Sequence, residues 1–239
     1  MIDLRQAFAA AAILLCSAVT CGSVGASPAI ASAPPADTVG SGRLAFQHVN
    51  ADAVLTRRGT RLSTTAPDVV ATGFARAPLK GRAYVEAVVF HGGRHAAGVS
   101  LWGDPQQPAR DTAHPGRSYG RAGASVQAVS AWMLMAYANY GLPSDTKMEV
   151  TPLSGAPGQR LVVQLAVDAG TRAVWVKLST AGGWAGGGDP AAGTRPSFVL
   201  DGASPILVGG NVSNPANYVE ILAADQHVGV APSGFSPYG

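Results

Sequence analysis

The hydrophobic pattern of this chain is one of period two. From Leu161 to Val167, Val162, Gln164 and Ala166 point one way and Val163, Leu165 and Val167 the other. A second alternating run, Ala173 to Leu178, follows the short polar break Asp168-Ala169-Gly170. Side chains on a strand point alternately to its two faces, so this spacing predicts two strands joined as a hairpin. Gly170 is expected to supply the positive φ of the turn. The Gly-rich stretch from Gly182 to Gly193 suits neither helix nor strand and predicts a long shaped loop carrying Trp184.

The same alternation recurs elsewhere. Asp52 to Ser63 reads as a hairpin with Arg58-Gly59 at its turn. In Lys80 to Phe90, Tyr84, Glu86 and Val88 share one face while Val85, Ala87 and Val89 share the other. Lys147-Met148-Glu149-Val150, Pro196 to Leu200 and Ile206 to Gly210 read as further strands, and Tyr218 to Leu222 is expected to close the sheet. Ser125 to Tyr140 is ambiguous: alternation suggests strand, yet Val129, Trp132, Met133 and Ala136 would share a helix face. The predicted class is all-β, with one domain expected.

Composition supports this: 30 Gly and 17 Pro among 239 residues demand many turns, and only 13% of residues are charged. The formal charge of +3 is scattered along the chain. A nucleic-acid binder is expected to concentrate it, so nucleic acid is not an expected partner.

Residues 1–26 have the three parts of a secretory leader: a head carrying Arg5, an apolar run from Phe8 to Val19, and Val24-Gly25-Ala26 before a cut. The apolar run is shorter than the ~20 residues that span a bilayer. Cleavage is expected after Ala26, with Ala31 as the alternative, and an uncleaved anchor stays open. Cys16 and Cys21 both lie in this segment, so the cleaved chain would hold no disulfide, thiol nucleophile or cysteine metal site. Lipidation at Cys21 fits poorly, because Ala18-Val19-Thr20 departs from the usual preceding pattern. Residues 27–43, rich in Ala, Pro and Ser, read as a flexible linker ahead of a domain spanning 44–239. The expected setting is secreted or periplasmic, without stable membrane insertion after cleavage.

Several phrases, in this order, resemble the SPRY-type domain in its phage and bacterial version. They are VLTRRGTRLSTT, Gly81-Arg82-Ala83-Tyr84-Val85-Glu86, Ala97 to Trp102, Pro115 to Gly120, the DAG turn with GGW and GDPAAGT, and Pro232-Ser233-Gly234-Phe235. The resemblance spans roughly Asp52 to Phe235, departing where Asn217-Tyr218 keeps only part of the family's Asn-Phe-Gly. It implies a concanavalin A-like jelly-roll sandwich, strands within Ser125 to Tyr140, and a module that binds protein or peptide through loops at one sheet edge, without catalytic residues.

Candidate chemistry is sparse. Hydrolysis of a glycosidic bond needs two carboxylates about 5 to 10 Å apart, but Glu86, Glu149 and Glu220 each sit alone on a predicted strand, and Asp168 and Asp189 sit in turns. His91 and His95 flank two glycines and read as solvated loop residues rather than metal ligands. No cofactor or metal is expected. The candidate binding residues are Trp184, Tyr119, Trp102, Arg117 and Tyr140; aromatic rings in loops anchor protein partners or stack on sugar. Trp132 and Trp175 are expected in the core. A protein or peptide is the expected ligand, with a carbohydrate-binding or carbohydrate-cleaving protein and a structural appendage domain as alternatives.

Overall fold

The computed structural model describes residues 43–47, 52–67, 69–92, 96–102, 123–130, 133–139, 142–152 and 158–239. In chain order the strands are β1 Phe46–Gln47, β2 Ala53–Thr56, β3 Arg61–Thr64, β4 Ala71–Pro78, β5 Arg82–His91, β6 Ala97–Trp102, β7 Ala124–Ser130, β8 Met133–Ala138, β9 Thr146–Pro152, β10 Gln159–Asp168, β11 Ala173–Leu178, β12 Phe198–Val199, β13 Leu207–Val212, β14 Tyr218–Ile221 and β15 Ser236–Pro237. One sheet runs β1-β4-β13-β6-β7-β8-β9, the other β12-β11-β10-β5-β14-β3-β2. Pairing is antiparallel throughout, except that β15 lies parallel to the start of β5.

The expected alternation explains why the sheets stack. Val85, Ala87 and Val89 of β5 and Val163, Leu165 and Val167 of β10 all enter one core. Val99, Leu101, Val126, Ala128, Leu134 and Val208 enter the same core from the other sheet. Burying each valine or leucine among them contributes about 1.5–3 kcal/mol before the entropy of ordering is counted. The chain is thus an antiparallel β-sandwich, as expected. Ser125 to Tyr140 holds two strands, β7 and β8, and Lys147 to Val150 lies within β9.

Two expectations about the strands are corrected. β14 does not close its sheet: it lies inside it, between β5 and β3. His91 is no solvated loop residue: β5 continues through it, where it faces Gln159 of β10 and is fully buried. His95 lies outside the described residues.

The central hairpin forms as expected, but its left-handed residue is Arg172 (φ 61°) rather than Gly170. Asp168 Oδ1 accepts the amides of Gly170 and Thr171 and makes the turn itself. The strained Arg172 is held by its own guanidinium, which donates to the carbonyls of Leu200 (3.0 Å), Ser204 (2.8 Å) and Asp201 (2.8 Å). A left-handed non-Gly residue persists where surrounding contacts over-determine it.

Replacing Arg172 separates these terms. Arg172→Ala is expected to cost about 2–3 kcal/mol in urea unfolding through the lost charge-assisted bonds. Arg172→Gly is expected to recover about 1 kcal/mol of that by relieving the backbone.

Candidate functional site

A cleft of about 450 Å³ opens on the outer face of the second sheet. Its floor is Gln164 of β10, Lys177 of β11 and Ser179 just beyond; Trp184, Asp189 and Pro190 form one side and Val228, Gly229 and Val230 the other. Strand register builds the floor. Gln164 pairs with Lys177 across the hairpin and with Glu86 across β5, so the three polar residues lie in one row on the outer face.

The Gly-rich loop is shaped, as its sequence suggests. Asp189 and Thr194 exchange backbone hydrogen bonds (3.0 and 2.9 Å), and Asp189 Oδ1 accepts the amide of Ala192. Trp175 donates its Nε1 hydrogen to the Thr194 carbonyl (2.9 Å), and Arg82 donates to the carbonyl of Pro190. Trp184 is half-buried against the cluster of Tyr84, Ala166, Trp175 and Phe235. Its ring is therefore oriented by packing while part of it faces the cleft.

Behind the floor, Glu86 is fully buried and saturated with donors. Its Oε1 accepts from the Tyr84 hydroxyl (2.6 Å), Gln164 Nε2 (3.0 Å) and the Gly229 amide (2.8 Å); its Oε2 accepts from the Val228 amide (2.8 Å). Burial by itself pushes a carboxyl up. Here the hydrogen bonds from Tyr84, Val228 and Gly229, with the charge of His227, outweigh burial and hold Glu86 below the usual glutamate range. Burial first, then the bond to Glu86 and its charge, push the Tyr84 phenol far above its ordinary value.

In the floor, no described group bonds or pairs with the Lys177 ammonium, and none donates to Gln164 Oε1. The cleft thus offers a cationic donor beside a neutral acceptor. Glu86 behind the floor is held as the anion, and Asp189 caps its own loop. Among the described residues no group of three or more His, Cys, Asp or Glu is placed to hold a metal ion.

Of the candidate binding residues, Trp184 lines this cleft. Tyr119, Arg117 and Tyr140 lie outside the described residues, as does Trp132. Trp102 is a correction: it is wholly buried, its ring 5.5 Å from that of Phe74 and packed on Leu207. Gly209 on the neighbouring strand makes room for it, since a Cβ there would collide with the Trp102 ring. A ring with no exposed surface cannot stack on a ligand. Trp175 is buried, as expected.

Glu86, Gln164, Lys177 and the Val228–Val230 wall were not singled out from the sequence as site residues. One signal was available. Counting back from the Asp168 turn sets Gln164 opposite Lys177, two polar residues in otherwise apolar strands. The approach of residues 228–230 has no local signature.

With the geometry in hand, the class is a two-sheet β-sandwich with a ligand-sized cleft on one outer face. The sequence matches no family model and no curated protein. Solved structures similar to it include the SPRY domain of human HERC1, at 12% identity, 76% of this chain, 99% of that chain and a TM-score of 0.49. The carbohydrate binding module CBM66 from Bacillus subtilis is similar at 8% identity, 75% of this chain, 92% of that chain and a TM-score of 0.44. The lectin UEA-II, solved with galactose, is similar at 12% identity, 78% of this chain, 94% of that chain and a TM-score of 0.43.

The lowered pKa of Glu86 predicts an acid dependence. Its contribution to stability is present above the unfolded-state pKa of glutamate and is lost as pH falls through the lower folded-state pKa. Tyr84→Phe removes a donor to the carboxylate, so the acid-unfolding midpoint is expected to move to higher pH. Carboxyl-carbon chemical shifts and a pH series of urea melts check both.

Proposed function

We propose that this chain is a non-catalytic binding module that seats a segment of protein or peptide in the Trp184 cleft. The observation that carries the reading is a half-buried Trp184 facing a wall whose Val228 and Val230 are 62% and 92% exposed. Exposed apolar side chains grouped around a concave polar floor mark an interaction site more strongly than singly scattered ones. A peptide brings what this lining lacks. Its apolar side chains cover the two valines and the indole, and its carbonyl and amide groups meet the Lys177 ammonium and Gln164 Oε1. The SPRY-like order of motifs supports the same class of role. Residues 1–26, read as an export leader, support work outside the cytoplasm.

A saccharide is the second reading. The Trp184 face beside Lys177, Gln164, Ser179 and Asp189 also suits a sugar ring and its hydroxyls. Cleavage of a bound saccharide is not part of either reading, because the buried Glu86 has no proton to give at neutral pH.

Selection of displayed peptides on the chain from Ser27, in parallel with a glycan array, separates the two. A selected peptide is expected to lose about ten- to a hundredfold in affinity with Trp184→Ala, the range of an interface anchor. Val230→Ser and Lys177→Ala are expected to cost less, each about three- to tenfold. Binding of a peptide unaffected by all three variants would refute the cleft. Hits confined to the glycan array, and lost with Trp184→Ala, would establish the saccharide reading instead.

A further inference from the structure

We propose that Glu86 is the positioning residue of the cleft: its buried carboxylate holds the backbone of Val228 and Gly229 and so sets both the wall and the acceptor that a ligand meets. The inference rests on the cleft being the binding site, but its structural half stands without any ligand.

The wall is a stretch of chain without a ladder. Upstream, Leu222 is buried and its amide bonds the Glu86 carbonyl (2.9 Å). Downstream, Phe235 is buried against Trp175, with the Arg82 guanidinium 4.3 Å above its ring. Between these anchors, Val228, Gly229 and Val230 belong to no strand or helix. Among the described residues, the only hydrogen bonds tying those three to the sheet are the two amides on the Glu86 carboxylate. Two adjacent N–H groups converging on the two oxygens of one carboxylate fix the position and the tilt of the peptide between them. Val228 and Val230, on either side of Gly229, are thereby held exposed at the rim.

Gly229 is required by proximity rather than by its dihedral angles. A Cβ at that position would collide with Gln164 Nε2 and stand 2.6 Å from the Tyr84 hydroxyl and 2.9 Å from Glu86 Oε1. Glycine therefore permits the backbone to reach the carboxylate; with a larger residue, either the wall or the side-chain ends of Gln164, Tyr84 and Glu86 must shift and the grip is disturbed.

The carboxylate also decides what the floor presents. An ionised carboxylate only accepts, so Tyr84 must donate its hydroxyl proton and Gln164 must turn its NH₂ inward. Gln164 Oε1 is then the end left for the cleft, beside the Lys177 ammonium. With Glu86 neutral or amidated, that orientation is no longer enforced and the floor can present a donor in place of an acceptor. The groups that face Glu86 are Tyr84 on its own strand, Gln164 on β10 with Lys177 beyond it on β11, and His227 on the wall segment.

Amide hydrogen exchange on the chain from Ser27 tests this without a ligand. In the wild type, the amides of Val228 and Gly229 are expected to be protected. In Glu86→Gln that protection is expected to fall tenfold or more, while the amides of Val163 and Leu165 in the core ladder keep theirs. Gly229→Ala is expected to do the same with the carboxylate intact. If Glu86→Gln does not fold, the wild type decides through its pH profile. Protection at Val228 and Gly229, corrected for intrinsic rates, should be lost with a midpoint below the usual glutamate range, and Tyr84→Phe should move that midpoint upward. Unchanged protection at both amides, or a loss that merely follows the core amides, overturns the proposal.

A displayed peptide selected on the wild type supplies the second arm. Glu86→Gln is expected to weaken it tenfold or more with the fold intact; a peptide lost with Trp184→Ala but indifferent to Glu86→Gln overturns the role in binding. No selected peptide and no array hit, alongside the expected exchange pattern, counts against the cleft as a site and leaves the hold of Glu86 on the wall standing.

Discussion

The structure depends on the register of one strand pair. β5 and β10 match residue for residue from His91 opposite Gln159 to Arg82 opposite Asp168. Because successive side chains alternate between faces, a slip of one residue would move Val163, Leu165 and Val167 out of the core and drive Gln164 into it. The same register that fills the sandwich lays Glu86, Gln164 and Lys177 in a row on the outer face. Core and site are thus two faces of a single ladder, and neither can be altered by a register change without destroying the other.

On that outer face, burial makes polar groups consequential. An isolated buried carboxylate would be costly. Glu86 is accommodated because four donors converge on it, two of them backbone amides of a segment distant in sequence. The arrangement has a direction: an anion that cannot easily be protonated organises its neighbours as donors and leaves acceptors facing outward. Arg172 illustrates the same logic in a turn, where three carbonyls hold a guanidinium and with it a backbone conformation that the residue would not choose alone. In both places a charged side chain ties a loop to a distant part of the chain.

Preorganisation follows. The Trp184 loop is tied by Trp175, Arg82 and the Asp189–Thr194 pair, and the opposite wall by Glu86. A site with both sides held in advance loses less freedom on binding than one that must be ordered by its ligand, which raises affinity for a given contact area. The exposed Val228 and Val230 are then fixed features of the surface.

How much of this could be read from the residues depends on the distance over which each feature is decided. Period-two alternation determined the strands of the central hairpin, of β5 and of β2–β3, and which side chains share a face, because strand geometry is a local property; which face is the core was decided by the stacking of the sheets. The Gly-rich run determined that Trp184 would sit in a loop. Tertiary structure decided the rest. Trp102 reads like a loop aromatic in sequence, but Gly209 from a strand far along the chain gives its ring a buried seat. Arg172 rather than Gly170 adopts the left-handed conformation because carbonyls from Leu200 to Ser204 reward it. Glu86 looks solitary along the chain, and acquires its role only when residues more than a hundred positions away bring two amides to it. Alternation is written in neighbouring residues; the convergence of donors on a buried charge depends on long-range packing, which no local pattern encodes.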